Sequence, residues 1–322
     1  SLLVKRRCNC ETSATASARK ELVMATKQSA RLVWRNSEGT EVVLTRQAPF
    51  YLSGFEGFGG VENQITSTAV YGLDGEVKVD SKLLPRDIGL IGVIKVDSFD
   101  DLQKQKRNML DAFNPKLTGT LTYEVLGNSY FIDCEVIQGP PNNTADAGSL
   151  YQKYDIQLQA LDPYWRDTSM YDSLIPLASL EPRMRFPLVF KSDEPFIFGE
   201  YKSGDILSVT NKGDVVVGGV FYMTANAEVV NPRIYNVTQQ QFFGFKGTYP
   251  AGTTFEVSTV SGKLYARKNV TGLVENAMND RLDGSVFLKL QKGDNYFQTQ
   301  ADNDTVNGLI CSLKFTPLVA GV

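Results

Sequence analysis

Between Lys82 and Val136 the hydrophobic positions change period twice, and each change predicts an element. Ile88, Leu90, Ile91, Val93, Ile94 and Val96 form an apolar run rich in β-branched residues and broken by Gly89 and Gly92. That run predicts a strand buried on much of both faces. Asp97 or Ser98 then caps a helix, with Asp100 and Asp101 in its first turn, where carboxylates meet the positive end of the helix dipole. Phe99, Leu102, Met109, Leu110 and Phe113 are expected to share the face that packs on the sheet. Asn114-Pro115 ends the helix, because proline disfavours the helical region for the residue before it. Leu121, Tyr123 and Val125 then alternate with polar residues. Gly127-Asn128 predicts a two-residue turn, and Tyr130, Ile132, Cys134 and Val136 alternate back.

The same period of two recurs on either side. The segments "ARLVW" and "EVVL" flank Asn36-Ser37-Glu38-Gly39 and predict a hairpin from Ala30 to Leu44; Asp74-Gly75 marks a turn between strands within Tyr71 to Val79. The segment from Tyr51 to Gly60 holds Gly54, Gly57, Gly59 and Gly60 but fits neither a P-loop nor a dinucleotide fingerprint, so it reads as a strand bend or a close approach of backbones. "QGPPNNTADAG", from Gln138 to Gly148, reads as a projecting loop, and Tyr154, Ile156, Leu158 and Ala160 as a closing strand. Beyond it, short alternating runs such as Val215 to Tyr222, Arg233 to Val237, Thr254 to Val260 and Leu309 to Phe315 are separated by Gly, Asn, Asp and Pro. Such spacing predicts a β-sandwich or jelly roll.

Length makes two domains the expectation, since 322 residues exceed what one core usually supports. The predicted division is 1–23 as upstream sequence or a disordered arm, 24–167 as the first domain, 168–185 as a linker and 186–322 as the second. With Lys+Arg 33 against Asp+Glu 36, the chain carries no general attraction for phosphate, which argues against direct nucleic-acid binding. No apolar run approaches the roughly 20 residues of a membrane helix. Cys8, Cys10, Cys134 and Cys311 make a poor disulfide framework for this length, and reduced thiols are expected.

Chemistry is sparse. Histidine is absent, which removes the usual general base and the commonest metal ligand; Cys8 and Cys10 form only half a zinc site. The carboxylate pairs Asp205 with Asp214 and Asp280 with Asp283 offer glycosidase-like partners, but surface turns carry Asp as readily. The loop from Asp302 to Gly308 departs from a calcium loop at Val306 and in its glycine position. Phe221, Tyr222, Tyr235, Phe242, Phe243, Phe245, Tyr249 and Phe255 either stack on sugars or fill a sandwich core, and the core reading is favoured. No catalytic, cofactor-binding or metal-ligating residue is therefore expected, and no cofactor.

Taken in order, "PRDIGLIGVI" (Pro85 to Ile94), "KRNMLDAFNP" (Lys106 to Pro115), "LTYEVLGNSYFIDCEV" (Leu121 to Val136), "LQALDPYW" (Leu158 to Trp165) and "FPLVF" (Phe186 to Phe190) resemble the siphophage distal tail protein family. The resemblance implies a mainly β fold with one clear helix: an N-terminal β-sandwich-like ring domain and a C-terminal galectin-like or jelly-roll sandwich. It implies a non-enzymatic structural protein of a phage or prophage virion, assembled in the bacterial cytoplasm and located at the tail tip. Its partners would be its own copies in a hexameric ring, the tail tube protein, the tail-tip hub protein and, through the second domain, receptor-binding proteins or a cell-surface glycan. A carbohydrate-binding adhesion module is the alternative reading. In the ring, strands of the first domain are expected to continue from one subunit to the next through their sheet edges.

Overall fold

The computed structural model describes residues 30–72, 74–140, 150–171, 173–182, 199–270 and 272–322. The chain divides into two units between Pro163 and Tyr164. Cys8, Cys10, the "FPLVF" segment and most of the "GPPNNTADAG" connection lie outside the described residues.

The first unit contains β1 (Arg31–Asn36), β2 (Glu41–Leu44), β3 (Phe50–Glu56), β4 (Asn63–Ala69), β5 (Glu76–Leu83), β6 (Arg86–Lys95), α1 (Phe99–Ala112), β7 (Thr118–Val125), β8 (Asn128–Gln138) and β9 (Tyr151–Ala160). Seven of these strands form one antiparallel sheet in the order β2-β1-β7-β8-β9-β6-β3. Its end strands meet: Leu52 N donates to Thr45 O at 2.6 Å and Thr45 N donates to Phe50 O at 3.3 Å, so the sheet curls onto itself. Curling consumes edges that would otherwise stay unpaired. β6 is the apolar run read from the sequence, with Ile88, Leu90 and Ile94 fully buried.

Ser98 caps α1, its Oγ accepting from Asp101 N at 3.1 Å. The buried stripe is Leu102, Met109 and Ala112, continued by Phe113 at the C-cap. Phe99 and Leu110, expected on that stripe, are 51% and 40% exposed. The reason is the helical period: Leu110 lies about 100° around the axis from Met109, and the seven-residue step from Leu102 to Met109 fixes the middle of the face. The helix end is tied down from β1. Trp34, fully buried, donates its indole N–H to Ala112 O at 2.8 Å and stacks on Phe113 with ring centroids 5.0 Å apart. The buried carboxamide of Asn36 donates to Asp111 O at 3.3 Å while its oxygen accepts from Thr40 N at 2.8 Å and Glu38 N at 3.1 Å. Two side chains thus satisfy carbonyls that a helix terminus leaves without intrahelical partners. Gly119 makes room for the indole, since a Cβ there would stand 2.3 Å from Trp34.

The hairpin turn between β7 and β8 is Leu126-Gly127 rather than Gly127-Asn128, for Val125 pairs with Asn128 and both turn residues have positive φ (49° and 83°). That geometry is the one whose twist matches the flanking strands. The glycine-rich segment is strand β3 with a bulge between Leu52 and Gly54, followed by a close backbone approach. Buried Arg86 donates to the carbonyls of Gly57, Gly59 and Pro163, and a Cβ on Gly57 would lie 2.0 Å from Asp87 O.

The second unit is a sandwich. One sheet runs in the order Leu174–Pro176, Leu309–Lys314, Val220–Ala225, Thr254–Ser258, Tyr265–Val270, Leu273–Asn276; the other in the order Ile206–Asn211, Gly293–Asp302, Val229–Asn236, Gln241–Gly244. Part of the expected linker, 168–185, is therefore strand: Leu174–Pro176 extends the first sheet, and Ser179–Pro182 pairs with Gly199–Lys202. Phe221 meets Phe297 edge-on at 5.7 Å, and Phe245 stacks on Phe255 at 4.4 Å. Of the aromatic set read from the sequence, Phe221, Phe243, Phe245, Tyr249 and Phe255 are core. Cys134 and Cys311 are buried and form no disulfide, and burial pushes the Cys311 thiol up to about 12.

Leu102→Ala is expected to cost about 2–5 kcal/mol, as for a buried leucine replaced by a cavity, and Leu110→Ala only about 0.5–1 kcal/mol. Urea unfolding followed by Trp34 fluorescence measures both, and equal losses would contradict the buried stripe. Peptide-resolved alkylation at pH 8 should leave Cys134 and Cys311 unmodified in the folded protein and modify both after denaturation, because the thiolate is the reactive form.

Candidate functional site

Asp205, Asp214 and Asp280, three of the four paired carboxylates named from the sequence, sit in separate structural networks. Asp205 accepts from Ser179 Oγ at 2.6 Å and faces Lys202 at 3.8 Å. Asp214 accepts from Lys292 Nζ and from Ala320 N, both at 3.1 Å, and these bonds hold its carboxyl below the usual range. Asp280 is bound to Lys268 at 2.8 Å. In the loop from Asp302 to Gly308, the Asp302 carboxylate accepts from Asn231 Nδ2 and Arg233 Nη1, each at 2.8 Å, while Thr305 Oγ1 donates to Asp302 O at 2.7 Å. The loop closes a turn with its own groups. Among the described residues no group of three or more Cys, Asp or Glu side chains is placed to hold a metal ion.

Two surfaces of another kind stand out. The first is the ribbon made by β4 and β5, which pair only with each other among the described residues. Nearly every residue in it is exposed, on both faces. β5 reads "EVKVDSKL", and its register with β4 slips by one residue at Val79, between the pairs Thr66–Asp80 and Ser67–Lys78. The slip is a β-bulge, which interrupts the alternation of faces. Ile65, opposite Ser81, lies on the face that carries Ser67, Lys78 and Glu76, and Val77, opposite Thr68, lies on the other. Ile65, Val77 and Val79 are 58%, 48% and 64% exposed. Among the described residues the ribbon therefore presents apolar side chains to solvent on both faces. The sequence carried the alternation in the strand after Asp74-Gly75, but the bulge and the exposure are visible only in the structure.

The second surface is the outer face of the six-stranded sheet in the second unit. Its inward residues, Phe221, Met223, Phe255 and Val257, belong to the core. Its outward residues include Tyr222, Glu256 and Arg267, aligned in one cross-strand row. These lie on three different strands, and their alignment depends on a register that no local pattern in the sequence encodes.

Comparison with known proteins assigns the first unit. Residues 37–159 match the phage tail protein RIFT-related domain. The first unit belongs to this phage tail domain family. Across 89% of its length it superposes on 98% of the Dit protein of phage SPP1, described as a paradigm of the hub adsorption apparatus in phages infecting Gram-positive bacteria, with a TM-score of 0.60 at 10% identity. A chain of the phage P2 baseplate in its calcium-activated conformation aligns over 88% of this chain and 97% of its own, with a TM-score of 0.43 at 9% identity. No curated relative matches the sequence. The expected fold class, mainly β with a single clear helix, is the one observed.

Proposed function

We propose that this tail protein forms a hexameric ring at the distal end of a non-contractile tail, joining the tail tube to the tail-tip hub. The observation that carries the reading is the β4–β5 ribbon. A lone two-stranded ribbon is marginal in water. One that also exposes Ile65, Val77 and Val79 is stabilised when an apolar surface covers them. The curled sheet has its end strands joined at Thr45 and Leu52, so the subunit contact expected of sheet edges passes instead to the ribbon, which docks head-to-tail on a neighbouring copy. The fold likeness to the SPP1 Dit protein supports a place at the hub, and the charged ribbon residues Glu76, Lys78, Asp80 and Lys82 suit the polar rim of such a contact. Assembly in the host cytoplasm and a final location at the virion tail tip follow from that role. Receptor-binding proteins would attach through the second unit.

The double substitution Val77→Asp with Val79→Asp tests the reading in the full-length chain. Both positions are exposed in the single chain, so its thermal unfolding should match the unsubstituted protein. Ring formation, scored by mass photometry and negative-stain images with the tail-tip hub present as template, should fall by at least about tenfold. Rings that form undiminished would overturn the role of the ribbon. A chain that stays monomeric with its hub, before any substitution, would overturn the ring itself.

A further inference from the structure

The grooved outer face of the second unit has a feature that the ring does not use. Tyr222, Thr224, Thr254, Glu256, Arg267 and Asn269 line a groove of about 320 Å³. Volumes from about 300 Å³ upward are typical of small-molecule sites. The walls come from matched register: Tyr222 pairs with Glu256 and Glu256 with Arg267, while one step along Thr224 pairs with Thr254 and Thr254 with Asn269. Within this lining the Asn269 Oδ1 atom is buried and has no hydrogen-bond partner. Nearly all buried acceptors in native proteins are paired, and each exception asks for an explanation. The surrounding side chains are already held in place. Tyr265 Oη donates to Glu256 Oε1 at 2.7 Å, and the Arg267 guanidinium lies 4.4 Å over the Tyr265 ring.

The chemistry of the lining selects the ligand. An apolar molecule would leave Asn269 Oδ1 without a partner and strip water from the charged Glu256 carboxylate, at the cost of desolvating both. An anion such as a phosphate would face Glu256, and the nearby Lys268 ammonium is already bound to Asp280 at 2.8 Å and Glu275 at 3.4 Å. A cation would face Arg267. A neutral molecule bearing several hydroxyls meets every requirement: it donates to Asn269 Oδ1 and Glu256, accepts from Arg267 and the threonine hydroxyls, and lays its C–H surface against Tyr222. The geometry points to a binding site for a neutral saccharide in this groove. Of the aromatic residues considered as a sugar platform from the sequence, only Tyr222 lines it on its exposed side. The site stands independently of the ring, since it lies wholly on the second unit.

Two measurements on the full-length chain test the assignment. Binding is read by saturation-transfer NMR and on an array of neutral glycans, with inorganic phosphate and glycerol phosphate as anionic probes, at ligand concentrations up to about 10 mM. At least one neutral glycan should bind. Tyr222→Ala and Asn269→Leu should each weaken it at least about tenfold, and Tyr296→Ala, an exposed aromatic on the opposite sheet, should leave it unchanged. Asn269→Leu separates function from structure: because the carboxamide oxygen has no partner, the leucine variant should melt no lower than the unsubstituted protein while losing the ligand. Absence of any neutral-glycan binding, preference for the phosphates, or binding undiminished in Asn269→Leu would each overturn the proposal. Ring formation, scored separately, is expected to be the same in all these variants.

Discussion

Trp34 is the side chain on which the first unit turns. Its ring fills the space over Gly119, stacks on Phe113, and its N–H takes the carbonyl of Ala112, so one residue fixes the distance between strand, hairpin and helix end. Asn36, two residues along the same strand, repeats the tie with an amide. Interiors are close-packed, and a ring held this tightly transmits any shift of the helix directly to the sheet. The location of α1 is thereby decided at its C-terminal end. Its N-terminal end is secured by the Ser98 cap and the burial of Leu102, and Phe99 stays half exposed.

How much of this was legible follows from which interactions are local. β6, the cap at Ser98, the break at Asn114-Pro115 and the β7–β8 hairpin are encoded within a few residues of where they act, and all were readable. The exact helix face was not, because Leu110 and Met109 are equally apolar and only the packing partner distinguishes them. The turn was misplaced by one residue since leucine seldom adopts positive φ, and Leu126 does so beside Gly127 under the register of the flanking strands. For the glycine-rich segment the general reading of close approach was right. Its cause lies thirty residues away in Arg86, whose guanidinium collects the Gly57 and Gly59 carbonyls.

The two candidate surfaces show the same boundary between local and distant information. The alternation of valine with charged residues is written plainly in β5, yet the bulge that interrupts it at Val79 is not. The groove on the second unit is written nowhere along the chain, for it arises when three strands bring Tyr222, Glu256 and Arg267 abreast. Aromatic content alone pointed mostly to residues that the sandwich keeps for its own core.

The exposed ribbon also bears on how an assembly knows that it is finished. If each ribbon lies on the next copy, an open arc of any number of subunits keeps one bare ribbon at one end and one vacant receiving surface at the other. Those two ends belong to the same particle, so they meet at an effective concentration set by the arc's geometry and not by the protein concentration in bulk. Closure then becomes the strongest step for the same contact that was weak between free subunits, and partial arcs disappear in favour of complete rings without any added bond.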